Sequence, residues 1–244
     1  MVEKPVSPYA ATKKACELIA YTYHHLYGLN TTGLRFFTVY GPRGRPDMAP
    51  FKFIDRIFKD TEIQQYGDGY TSRDYTYISD IVDGVVRSID RPLGYQVINL
   101  GNGRPFLLKN FIQLVVENVG KEAIIKVLPE QPGDVKHTCA CIKKARELLS
   151  YNPQVTFEEG ISKTVAWYKA AHAAGVFDTD DDNSDEDGTT VASVGSVGGT
   201  ALVSAIKSHD RLSRCVSDLE LSSFVQKASE PIERRQVCMY CLCL

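Results

Sequence analysis

The sequence predicts an α/β fold, and three observations carry that reading. Segments with apolar residues at helical spacing alternate with short runs rich in β-branched and aromatic residues. Glycine and proline punctuate the joins between them. The chain of 244 residues is 43% hydrophobic and 24% charged, an ordinary globular balance with enough apolar surface for a sizeable core.

Ser7 before Pro8 is an N-cap followed by proline at the first helical position, and Gly28 marks a stop. A helix over 8–27 is predicted, with Ala11, Ala15, Leu18, Ile19 and Leu26 as its buried stripe. TTGLRFFTVYGP reads as a buried strand ended by Gly41 and Pro42, and RGRPDMA as a basic loop beyond it. PFKFIDRIFKD is a short helix, and EIQQYGDGYTSRDYTYI a pair of strands about a Gly-Asp-Gly turn. ISDIVDGVVRSID, LLKNFIQLVVENVG, IKKARELLSYN and TFEEGISKTVAWYKAA follow as helices, with GYQVINLG and AIIKVLP as strands among them. Order is expected to about Ala173, so 1–173 is one folded region.

Residues 174–199 hold an acidic block and then small residues, DTDDDNSDEDGTTVASVGSVGG, which cannot bury enough apolar area to offset ordering entropy. A disordered linker is predicted. Asp178, Asp180 and Asp182 alternate as in a calcium loop, but Asn183 replaces its turn glycine and Thr189 its glutamate. The tail, 200–244, has room for one or two short helices and no readable role. Its terminal CMYCLCL contains a C-x-x-C step, yet no second pair completes a zinc knuckle.

A net charge of −2 gives no electrostatic argument for nucleic acid or an acidic membrane surface. No apolar run reaches the ~18 residues of a membrane span, and the first residues lack a secretory core, so a cytoplasmic chain with reduced thiols is expected. His24 and His25 lack the Cys or acidic company of a metal site.

Tyr9 and Lys13 stand four apart on the first predicted helix and so share a face. A phenol with an ordinary pKa of about 10 becomes a better base when an ammonium lies close enough to favour the phenolate. Thirteen tyrosines give about one Tyr-x-x-x-Lys per chain by chance, so the pair alone fits an amphipathic helix equally well.

Five segments in order, PVSPYAATKKACE, LRFFTVYGPRGRPDMAPFKF, RDYTYISDIVDG, INLGNGRP and LPEQPGDV, change that balance. Over residues 3 to about 172 the chain resembles the C-terminal part of an NAD-dependent nucleotide-sugar epimerase of the extended short-chain dehydrogenase/reductase class, most closely the UDP-glucuronate 4-epimerases. The resemblance implies an incomplete Rossmann-like doubly wound sheet plus the small α/β substrate-binding domain. It implies Tyr9 as catalytic acid/base, with Lys13 tuning it and bonding the nicotinamide ribose, and Phe37 beside the cofactor. Thr38 and Arg45 are implied around the uronate carboxylate, where a guanidinium fork suits two-point binding; two solvated loop arginines are the plainer alternative for Arg43 and Arg45. Arg73 is implied at the diphosphate, against an ion pair with Asp74 or Asp80. Gln131 and Asp134 are implied at the nucleotide ribose, in a turn that Pro132 and Gly133 form in any case. Met48, Ala49 and Phe51 fall near the uracil or sugar, or simply in the core.

The family's opening strand, glycine-rich turn and helix, which hold the cofactor pyrophosphate, have no counterpart in the sequence, nor has the Ser or Thr that shares the sugar hydroxyl. Half an active site is therefore expected, inactive alone. The alternative is a non-catalytic module that binds UDP-sugars or dimerises through the 8–27 helix, which pairs across a dimer interface in the wider class.

Overall fold

The computed structural model describes residues 4, 5, 7–130, 135–177 and 237–242, the last by their backbone. The elements are α1 (Pro8–Tyr27), β1 (Thr31–Phe36), β2 (Thr38–Tyr40), α2 (Ala49–Phe58), β3 (Ile63–Tyr66), β4 (Ser72–Tyr77), α3 (Ile78–Ile89), β5 (Tyr95–Leu100), β6 (Pro105–Leu107), α4 (Leu108–Val119), β7 (Ile125–Leu128), α5 (Lys143–Leu149), α6 (Phe157–Ala173) and β8 (Val237–Leu242). The predicted linker and the predicted tail helices lie outside the described residues.

Ser7 caps α1 by accepting from the Ala10 amide at 3.1 Å, and Gly28 closes it in the left-handed region at φ 66°. The predicted buried stripe of α1 is a correction: Leu18, Ile19 and Leu26 are more than half exposed. Only Glu17 and Ala20 of this helix are buried, with Lys13, Cys16 and His24 half-buried along the same line. These positions recur at 3.6-residue spacing, so the helix docks through a largely polar stripe and turns its apolar residues outward.

TTGLRFFTVY forms two strands where one is predicted. β1 pairs in parallel with β5 over Thr31–Phe36, whereas β2 pairs in parallel with β4. At the break, the Phe37 amide still donates to Leu100 O at 3.0 Å before the chain changes partner, so it passes from one sheet to the next. β3 and β4 are also not a hairpin. Gly67 and Gly69 adopt positive φ, Asp68 accepts from the Tyr70 amide at 2.9 Å, and the strands diverge: β3 pairs β7, and β4 joins β2 and β6. The third sheet runs β5-β1-β8.

Two apolar cores result. One lies among β2, β4, α2, α4 and α6, built on Tyr40, Phe53, Tyr75, Phe111, Phe157 and Tyr168. The other lies between β1/β5 and α3/α5, built on Leu34, Ile81, Ile98, Leu100, Ala145 and Leu149. Gly160 is required where α6 meets β2: a Cβ there would fall 2.0 Å from the Tyr40 hydroxyl. Among the described residues no helix is long and apolar enough to cross a membrane, no cluster could hold a metal ion, and Cys16, Cys139 and Cys141 are free thiols.

Candidate active site

A cleft of about 380 Å³ opens beside the first core between β2, the start of α2 and β4. Thr38, Met48, Ala49 and Arg73, all implicated from the sequence, line it together with Lys52 and Tyr75. With Arg56 it holds three cations against the single carboxylate of Asp47, a balance suited to an anionic ligand. Arg73 reaches it from β4, its guanidinium donating to the carbonyls of Ser72 at 3.1 Å and Lys136 at 3.2 Å. Burial pushes the Tyr75 phenol up to about 12 despite the opposing charge of Arg73, so it meets a ligand as a neutral hydroxyl.

Arg45 sits at the rim with its fork already engaged. Nε and Nη2 donate to Asp47 Oδ1 and Oδ2 at 3.1 and 2.5 Å. That contact raises the arginine and holds the Asp47 carboxyl below its usual range. A ligand carboxylate has to displace Asp47 to take the fork.

Tyr9 is half exposed, and Lys13 Nζ lies 5.3 Å from the centroid of its ring. The one-turn separation thus delivers a phenol and an ammonium to the same patch. Phe37 packs against the second core, its ring edge 3.4 Å from where a Gly101 Cβ would lie. Gln131 and Asp134 fall outside the described residues.

Two carboxylates position the site and were missed in the sequence. Glu17, buried on α1, accepts from Arg35 of β1 at 2.6 and 2.8 Å and from Lys14 at 3.0 Å. Burial would raise its pKa, but the bonds and charges of Arg35 and Lys14 together outweigh that and lower it. The only signal was an acidic side chain on the line 13, 16, 17, 20, 24. Asp74, buried in β4, accepts from the amides of Asn102, Gly103 and Ala140, each at 2.8 Å, and so pins the GNGRP loop against β4. A carboxylate inside an aromatic strand was its signal. Asp80 likewise accepts from the amides of Gln154 and Val155, so both acids offered as partners for Arg73 serve backbone donors instead.

The family model described as GDP-mannose 4,6 dehydratase matches residues 2–164. The chain is 50% identical over 167 residues to the uncharacterised protein MJ1055 of Methanocaldococcus jannaschii, covering 68% of this chain and 51% of that protein. It is 49% identical over 169 residues to a UDP-glucuronate 4-epimerase of Thermodesulfobacterium geofontis, covering 69% and 52%. It matches the crystal structure of a Bacillus cereus UDP-glucuronic acid 4-epimerase in complex with UDP-glucuronic acid and NAD at TM-score 0.65 and 36% identity, covering 68% and 54%. The chain spans about half the length of the curated relatives it matches.

Proposed function

The chain belongs to the GDP-mannose 4,6 dehydratase family, and we propose that it carries the substrate side of a nucleotide-sugar 4-epimerase site acting on UDP-glucuronate. One observation carries the proposal: Thr38 and Arg73 meet Lys52 and Arg56 in one cation-lined cleft, and on α1 the Lys13 ammonium lies 5.3 Å from the centroid of the Tyr9 ring.

Tyr9 and Lys13 suit the nicotinamide-ribose end of NAD, being a phenol and an ammonium on one open helical turn. When bound, NAD supplies the acceptor, and then the donor, of the hydride at the sugar's C4. The chain's own work is with protons and charge. Tyr9, as phenolate, takes the proton of the C4 hydroxyl when the C4–H bond breaks, and returns it to the oxygen when the opposite face receives hydrogen. Lys13 holds its ammonium beside the Tyr9 ring. Arg73 and Lys52 neutralise diphosphate, and Arg45, released from Asp47, binds the uronate carboxylate in two-point fashion. The exposed face of α1 bearing Leu18, Ile19 and Leu26 supports a homodimer.

The test is titration of UDP-glucuronate into the purified chain, with nucleotide released on denaturation measured by absorbance. Saturable binding that Arg73→Leu weakens about tenfold or more is expected; no saturable binding, or no effect of that change, overturns the proposal. In any preparation that retains NAD and turns over, Tyr9→Phe should lower kcat by about 10²–10⁴ while the Kd for UDP-glucuronate stays the same.

A further inference from the structure

β1 is paired along its whole length on both edges. Thr31–Phe36 align in parallel with Tyr95–Leu100 on one side, and the same six residues align in parallel with Val237–Leu242 on the other. Two hundred residues separate Phe36 from Val237, so β8 is the chain's own distant C-terminal segment added to the sheet. Both α1 and α3 lie against β8, and residues 236–244 group with 1–178 as one compact unit. β8 thereby makes β1 an inner strand and itself forms the outer edge of the sheet, in the order β5-β1-β8.

The sequence of β8 suits that position. VCMYCL has no charge, no proline and no glycine, and it follows Arg234 and Arg235. Six apolar residues of this kind are themselves prone to pair with other chains unless covered or flanked by charge. The same hazard belongs to β1, whose outer row of N–H and C=O groups would be a template for foreign strands. Pairing the two within one chain closes the β1 edge and one of the two edges of β8. Covalent attachment gives β8 an effective concentration of the order of mM over any free competitor.

We propose that the outer edge of β1 is an acceptor for a parallel strand, and that Val237–Leu242 occupies it in cis and so closes it to strands of other chains. The tail thereby has a role: it is an intramolecular cap on a sheet edge. A protein that sought to continue this sheet from β1 outward would have to displace it. The inference concerns the sheet edge alone and does not depend on the catalytic reading.

Hydrogen exchange read by mass spectrometry on the segment 31–36 tests it, comparing the full chain with one ending at Arg235. The truncated chain is expected to exchange this segment about tenfold faster or more, and to form larger assemblies by light scattering. Equal exchange in the two chains overturns the proposal. Single prolines supply a control that does not require the truncated chain to fold. Along a parallel strand, successive residues aim their N–H alternately toward one neighbour and away from it. Of Met239→Pro and Tyr240→Pro, one removes a donor to β1 and the other a donor that faces outward, where proline is tolerated. One variant should reproduce the fast exchange and the other should resemble the parent; two variants behaving alike overturn the proposal.

Discussion

Replacing Glu17 with alanine should undock α1, and with it Tyr9 and Lys13, from an otherwise intact body. The helix buries only Glu17 and Ala20, so apolar burial holds it weakly. Tyr95 adds to the hold: its Oη donates to Glu17 O at 3.0 Å and its ring lies 5.2 Å from Tyr21 and 6.3 Å from His24, while Thr31 Oγ1 donates to Ala20 O at 3.4 Å. Removing the carboxylate deletes two charge-assisted bonds from Arg35, each worth about 1.5–3 kcal/mol. It also takes the facing carboxylate from a guanidinium whose side chain is 16% exposed. Partial rehydration of that group offsets some of the loss, leaving about 2–4 kcal/mol. At 1.36 kcal/mol per decade, amide exchange in α1 should accelerate roughly 30- to 1,000-fold. α4 and α6, which belong to the other core, should keep their protection. Mass spectrometry of the segment 13–24 measures it, and a double-mutant cycle with Arg35→Ala isolates the pair. Exchange within about threefold of the parent, or a coupling below about 0.5 kcal/mol, would refute the clamp.

The same carboxylate sets an acid limit. Its folded pKa lies below the unfolded value of 4.5, so its stabilisation is fully present above that value and is lost as pH falls through the folded pKa. α1 protection should drop in that window in the parent, whereas Glu17→Gln should flatten the dependence. Gly160→Ala forces a methyl onto the Tyr40 hydroxyl and should cost about 1–3 kcal/mol in denaturant unfolding, partly restored by adding Tyr40→Phe. Arg45→Leu should weaken UDP-glucuronate binding more than UDP-glucose binding in parallel titrations; equal losses would show that the guanidinium does not meet the carboxylate. Leu18→Glu should shift a dimer toward monomer in light scattering, and no shift would place any interface elsewhere.

The helices were legible because each announces itself locally. Ser7, Pro8 and Gly28 bound α1 to the residue, and the strong periodicity of 78–89 and 108–119 fixed α3 and α4. Most strands were legible too, though β6 (Pro105–Leu107) and β8 (Val237–Leu242) were not, and strand partnership was not legible at all. Whether TTGLRFFTVY is one strand or two depends on which neighbour stands beside Thr38, and that neighbour, Tyr75, comes from a distant segment. The divergence of β3 and β4 has the same cause, since a glycine turn permits a hairpin without requiring it. Of the residues the motifs singled out, Thr38, Met48, Ala49 and Arg73 line one cleft. Asp74 and Glu17 escaped because their partners are backbone amides and an arginine far away in sequence.

The misread face of α1 ties these points to function. Apolar residues on a helix were taken to mark the side that meets the sheet, yet here the sheet side carries Lys13, Glu17 and His24 while Leu18, Ile19 and Leu26 face out. The side of α1 that meets the sheet carries charged side chains in place of leucine, so apolar packing does not hold it there. Specific polar contacts then have to hold the helix, and Glu17–Arg35 with Tyr95 supply them. Such contacts are directional where apolar packing is not, so they fix the rotation of α1 about its own axis. That rotation sets the direction in which α1 presents the Tyr9 ring and the Lys13 ammonium beside it.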